Sequence, residues 1–230
     1  EIIGDIPIYV AMDSADTWVN TQQFQMDEDH RPLLVAGVPP DMFSKTGQLW
    51  GNPLYDWDYM KKDNFSWWRE RMRYSATLYD IIRIDHFIGI VNYYAIDAEA
   101  DTAMEGKWKK GPGAELLNAI NEEIGDTLII AEDLGVVTKE VTRVLEMSGY
   151  PGMKLMQFGF DANPRNSNLP RHFSSNCVVY GGTHDNETLR GYFENAGSQI
   201  RANARKALRI KRNRQLVWAI IEAAFRSKAD

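Results

Sequence analysis

The chain has 230 residues, 44% of them apolar and 25% charged, with a net charge of −6. That composition supports a packed core and excludes a disordered chain, while the mild acidity argues against a nucleic-acid partner. No window approaches the ~18 apolar residues needed to cross a bilayer, and a single cysteine, Cys177, excludes an intrachain disulfide framework.

The chain opens on Glu1-Ile2-Ile3 without an initiator Met and shows no signal-peptide pattern. It reads as a piece of a longer or processed protein, expected in the cytoplasm. Ile6 to Val10 is a short apolar run and predicts the first strand. Residues 11–64 are rich in Pro, Gly and aromatics, and predict one long inserted connection that covers the substrate. Ser66 is a candidate cap for a helix through Trp67, Trp68, Met72 and Leu78. Trp67 and Trp68 lie in that helical pattern and read as core.

Ile81 to Ile84 is a buried-type strand that ends on Asp85-His86. After Gly111-Pro112-Gly113, a helix is expected over about 114–124, stopped by Gly125. Thr127 to Ala131 is the next strand, ending on Glu132-Asp133. Thr138 is a candidate cap for a helix to Met147, with Gly149 beyond it. Lys154 to Phe160 predicts a strand, as does Val178 to Gly182, which runs into Thr183-His184-Asp185-Asn186. From Ser198 to Arg226 the period is helical, with Leu208, Leu216, Ile220, Ile221 and Phe225 as its apolar side. Nine Lys or Arg between Arg201 and Lys228 predict a solvated basic face.

Short apolar strands alternating with helices predict parallel β/α units. Three strands end on a carboxylate, as at the mouth of a (β/α)₈ barrel. About five strands can be placed where a barrel needs eight. The expected fold is therefore an incomplete α/β barrel.

Four constellations could carry chemistry. In Arg83-Ile84-Asp85-His86, strand alternation puts Arg83 and Asp85 on one face. Asp85 could act as a nucleophile, or the two could form a structural ion pair. Glu132 sits at the same mouth, where a partly desolvated carboxyl becomes a proton donor, although a solvated loop Glu is the common case. Paired carboxylates on neighbouring strands are what retaining glycosidic chemistry requires, at about 5–5.5 Å. In Gly182-Thr183-His184-Asp185-Asn186, His184 and Asp185 could hold sugar hydroxyls, or Asp185 or Asn186 could cap a helix. Pro39-Pro40-Asp41-Met42-Phe43 and Gly47-Gln48-Leu49-Trp50-Gly51-Asn52-Pro53 read as a covering loop, with Trp50 as a sugar platform or as internal packing. Cys177 reads as a small buried residue.

These strings, in order, carry a family resemblance. GDIPIYVAMDSADTW, PPDMFSKTGQLWGNPLYDW, RIDHF, IIAEDLG, PGMKLMQFGFD and THDN resemble the 4-α-glucanotransferases of the amylomaltase type. The resemblance implies a (β/α)₈ barrel of which residues 1–230 hold about strands 3 to 7. It implies Asp85 as nucleophile, Glu132 as acid/base and Asp185 as transition-state stabiliser. It implies substrate contacts for Asp13, Gln48, Trp50, Arg83, His86, Phe158 and His184. Ile88 stands where the family commonly has Arg. The implied activity is transfer of an α-1,4-glucan segment from a maltooligosaccharide donor to an acceptor sugar, with no cofactor, metal, nucleic-acid or membrane partner. An α-glucan hydrolase, a non-catalytic glucan-binding fragment and a metal-dependent hydrolase using Asp85-His86 and His184-Asp185 are the other readings.

Overall fold

A computed structural model describes residues 1–41 and 44–229. Met42 and Phe43 of the predicted covering loop lie outside the described residues. The chain divides into two compact units, Glu1–Tyr150 and Pro151–Asp230.

The first unit begins with β1 (Ile3–Ile6). This strand comes earlier than the expected Ile6–Val10, because Pro7 has no N–H to continue a ladder. Ile8 and Tyr9 are buried all the same, as part of the core. Residues 11–64 are not one irregular connection. They form α1 (Ala15–Val19), β2 (Leu34–Val38), β3 (Gln48–Pro53) and α2 (Trp57–Lys61). The segment GQLWGNP is thus largely a strand.

Helix α3 (Ser66–Leu78) buries Trp68, Met72 and Ser75 on one stripe, as the helical period requires. Ser66 is not its cap. Phe65 holds that place in a left-handed conformation, and the Asp63 carboxylate accepts from the Ser66 N–H (3.1 Å) and hydroxyl (2.6 Å). Strand β4 (Ile81–Ile84) follows, then the short α4 (Ile88–Val91), β5 (Asn92–Asp97) and β6 (Lys107–Lys110). Next come α5 (Ala114–Asn121), β7 (Leu128–Ala131) and α6 (Lys139–Ser148). Thr138 caps α6 as expected, accepting from the Val141 N–H, and Gly149 ends it in the left-handed region that glycine adopts without strain.

Two sheets organise this unit. Strands β1, β4 and β7 are parallel neighbours in that order, with Asp5 opposite Arg83 and Arg83 opposite Ile130. Strands β3, β2, β5 and β6 form an antiparallel sheet. Sequence pattern does not reveal this second sheet, because β6 (Lys-Trp-Lys-Lys) is exposed along its length and Gly37 interrupts β2. The core of the unit packs α3 and α5 residues, such as Trp68, Met72, Leu116 and Ile120, with Ile82, Ile84 and Ile129 of the parallel strands.

The second unit has two parallel strands, β8 (Gly152–Leu155) and β9 (Cys177–Tyr180). The expected strand over Lys154–Phe160 is only partly correct, since Met156–Phe160 turn into a 3₁₀ helix. The helices are α7 (Leu189–Asn195), α8 (Ser198–Ala207) and α9 (Leu216–Phe225). Helix α7 was not expected; its signal is Thr188, whose hydroxyl accepts from the Gly191 N–H. The expected single tail helix is broken at Arg209, which takes a left-handed φ of 55°. Leu216 and Ile220 enter the core with Met156, Phe160 and Phe193, but Phe225 is 88% exposed. Cys177 is buried in the same core.

Candidate active site

The site in the first unit grows from strand register. Ile84 pairs with Ala131, so the next residues, Asp85 and Glu132, stand side by side just past the ends of β4 and β7. The Asp85 N–H donates to the Ile6 carbonyl (2.9 Å), and the Glu132 N–H to the Ile84 carbonyl (3.0 Å). The ladder therefore runs up to both carboxylates. Alternation places both on the face that also carries Arg83. Neighbouring strands are about 4.8 Å apart, so the two side chains start from adjacent backbones and can reach one reacting centre.

Arg83 is a fork between two acids. Its Nη1 donates to Asp5 Oδ1 (2.6 Å) and its Nη2 to Asp85 Oδ1 (2.8 Å), with the guanidinium largely buried. Burial disfavours its charge, but the hydrogen bond to Asp5 and the fields of Asp85, Asp5 and Glu132 leave its pKa above the ordinary value.

Glu132 is buried, and both its oxygens accept from the backbone. The His86 N–H donates to Oε2 (2.8 Å) and the Leu134 N–H to Oε1 (3.0 Å). Desolvation, then the charge of Asp85, pushes its pKa up to about 7, against the two N–H donors and Arg83, which lower it. The N–H groups fix the carboxyl in place and leave lone pairs for a proton. A carboxyl held there can donate a proton near neutral pH and take one back.

His86 has a left-handed φ of 49° and is buried. Burial lowers its pKa to about 4, so its imidazole is neutral at pH 7. The ring meets Trp50 edge to face, with centroids 4.8 Å apart. The Trp50 Nε1–H donates to Gln48 Oε1 (3.0 Å), and Tyr9 lies 6.3 Å from the indole, centroid to centroid. Strand β3 thus brings Gln48 and Trp50 to the same cluster as His86. Asp13 lies before α1 and lines another hollow, with Ser14, Trp18 and His30. Ile88, at the start of α4, is buried and packs toward Gly135.

The other expected site residues belong to the second unit. Asp185 and His184 are exposed and paired, Nε2 to Oδ1 at 3.4 Å. Their turn is closed by Asn186, whose Oδ1 accepts from the Thr183 N–H (3.0 Å) and hydrogen-bonds its hydroxyl (3.1 Å). Phe158 sits on the 3₁₀ segment, edge-on to Tyr192 at 6.3 Å. Among the described residues, no three His, Cys, Asp or Glu side chains gather in a way that would hold a metal.

A family model described as 4-alpha-glucanotransferase matches residues 1–230. The chain belongs to the 4-alpha-glucanotransferase family. Its relatives include the 4-alpha-glucanotransferase of Clostridium butyricum, 48% identical over all of this chain and 48% of that protein. The chloroplastic/amyloplastic 4-alpha-glucanotransferase of Arabidopsis thaliana is also 48% identical, over all of this chain and 40% of its own length. An amylomaltase from Streptococcus agalactiae, solved in complex with acarbose, superposes with a TM-score of 0.94 at 42% identity, over 99% of this chain and 46% of that one. The chain spans less than half the length of these relatives. In this 4-alpha-glucanotransferase family member, sequence reading missed Asp5. With the first strand placed at Ile6–Val10, Asp5 fell outside it. The recoverable signal is the match of Ile3-Gly4-Asp5-Ile6 to Ile81-Ile82-Arg83-Ile84, which sets an acid opposite a base in parallel register.

Proposed function

We propose that the protein carrying this chain is a 4-alpha-glucanotransferase that moves α-1,4-glucan segments with retention of configuration. One observation carries the reading. Two carboxylates stand on adjacent strand ends, one paired with a buried Arg and the other held by two backbone N–H groups with its pKa near 7. Environment sets such carboxyls apart as nucleophile and acid.

The roles follow. An Asp85 oxygen attacks the anomeric carbon and the glycosidic C–O bond breaks. Glu132 gives its proton to the leaving oxygen, leaving a glycosyl ester on Asp85. Glu132, now a carboxylate, takes the proton of an acceptor hydroxyl. That oxygen attacks the same carbon from the opposite side and Asp85 leaves as a carboxylate. Arg83 stabilises the carboxylate form of Asp85. Family resemblance supports Asp185 as the stabiliser of positive charge on the sugar, and His184, Asp13, His86 and Phe158 as sugar contacts. Gln48 and Trp50, beside His86, would hold the acceptor and exclude water, and residues 11–64 would cover the substrate. The parallel strands would belong to a (β/α)₈ barrel of which this chain holds about strands 3 to 7, within one catalytic domain. The natural substrates would be maltooligosaccharides and larger α-1,4-glucans, met in the cytoplasm. No helix among the described residues is long and apolar enough to cross a membrane.

Incubation of the full natural chain with maltotriose tests this, with products resolved by length. Glucose together with longer oligomers, both lost in Glu132→Gln, is the expected result. Glucose and maltose alone would make the protein a hydrolase, and no reaction would overturn the assignment of activity.

A further inference from the structure

Asp5 is neither of the two carboxylates assigned above, yet it holds one arm of the Arg83 fork. Its side chain is 41% exposed, whereas that of Arg83 is 9% exposed. Arg83 is thus a buried cation between two part-exposed acids, Asp5 and Asp85. The ladder fixes both ends, because Asp5 and Arg83 are register partners on parallel strands and Asp85 follows Arg83 on the same face. The charge of Arg83 also reaches Glu132, where it favours the ionised form.

We propose that Asp5 is a positioning residue for the transfer reaction: it holds Nη1 of Arg83 while Nη2 meets Asp85, and it takes up guanidinium charge that would otherwise fall on Asp85 and Glu132. This inference rests on the assignment of Asp85 as nucleophile and Glu132 as acid/base. A guanidinium released from Asp5 would be free to turn further onto Asp85 and blunt it as a nucleophile. It would also act on Glu132 with its full charge and ease loss of the proton that the leaving group needs. Positioning and charge balance are thus separable in one residue.

Three variants of the full natural chain separate them. Asp5→Asn keeps an oxygen for Nη1 and removes only the charge. It should move the basic limb of kcat/KM to lower pH by about half a unit, the scale on which one charge at the edge of a half-solvated cluster acts. Asp5→Ala removes the acceptor as well, and should also lower kcat about tenfold with KM within about twofold. Asp5→Glu keeps the charge but not the geometry, so its limb should stay in place while kcat falls. A merely structural role would lower the melting temperature and leave the limb where it is.

The Glu132 carboxyl is titrated in parallel by carbon-13 NMR, with Glu132→Gln as the assignment control. Its midpoint should fall by the same half unit in Asp5→Asn. Coincident midpoints in wild type and Asp5→Asn would overturn the charge role, and an unchanged kcat in Asp5→Ala would overturn the positioning role. If Asp5→Asn fails to fold, Asp5→Glu decides: a moved limb with kcat retained overturns the proposal. A wild type that transfers no glucan overturns the function, while the carboxyl titration still decides the charge balance.

Discussion

As the proposed acid/base, Glu132 gives up a proton to a leaving oxygen and recovers one from an acceptor. A pKa of about 7, set first by burial and then by Asp85, suits both halves of that task at neutral pH. Glu132→Gln is therefore expected to lower the transfer rate by about 10²–10⁴-fold. In the wild type, kcat/KM should fall above a limb near pH 7, as the proton is lost. The same residue affects stability. The folded pKa of Glu132 is raised from 4.5, so its contribution is fully present below about pH 4.5 and lost as pH rises through about 7. The folded pKa of His86 is lowered from 6.5 to about 4, so its contribution is present above about 6.5 and lost as pH falls through about 4. Between about 4.5 and 6.5 the two slopes oppose and largely cancel. Urea melting of Glu132→Gln should expose the His86 slope alone, a rise in stability of roughly 2–3 kcal/mol from pH 4 to 6.5 that wild type lacks. Equal profiles for the two proteins would show that burial does not set these values. Arg83, Asp85 and Glu132 were legible as residues because strand alternation and strand ends decide where their side chains go. The left-handed turn at His86 was not legible, because only tertiary packing holds a non-glycine residue there.

At the scale of elements, β3 is the surprise. Gly47-Gln48-Leu49-Trp50-Gly51-Asn52-Pro53 reads as a loop, since Gly and Pro punctuate it, yet Gln48–Pro53 pair with β2. The pairing depends on close approach at Gly37, where an added Cβ would stand 2.1 Å from the Gln48 backbone oxygen and 2.5 Å from Ile96 Cδ1. A carbonyl in a ladder cannot swing aside as a side chain can. Gly37→Ala should push β3 from β2 and cost about 1–3 kcal/mol. The expected fall in Tm is about 3–8 °C. Trp50, two residues beyond Gln48, would lose its edge contact with His86, and KM for the acceptor sugar should rise several-fold. A variant with a lowered Tm but an unchanged acceptor KM would separate β3 from acceptor binding. The parallel strands were easier to read than the antiparallel sheet. Ile81-Ile82-Arg83-Ile84 and Leu128-Ile129-Ile130-Ala131 are largely apolar runs, three residues of each buried. In contrast, all four residues of β6 are exposed, and it is held by backbone pairing with β5 and an edge contact of Trp108 with Tyr94.

At the scale of the whole molecule, Asp85 and Glu132, the proposed nucleophile and acid/base, lie in one compact unit, and Asp185, the proposed stabiliser, lies in the other. Both halves of the proposed covalent chemistry therefore depend on the ladder of β1, β4 and β7. That division can be tested on the full natural chain with a donor that needs no acid. Fluoride leaves an anomeric carbon without prior protonation, so an α-maltosyl fluoride bypasses Glu132 in the first half-reaction. The second half still needs Glu132, now as the base that activates an acceptor hydroxyl. Glu132→Gln should therefore react once with the fluoride and stall. Intact mass should rise by one maltosyl group, and proteolysis should place the ester on Asp85. Asp85→Asn in the same background should take up no sugar. An ester found on Asp133 or Asp185 would move the nucleophile and with it the mechanism. If Glu132→Gln instead turned the fluoride over at the wild-type rate, the base would be another group, and the backbone cradle around Glu132 would be structural.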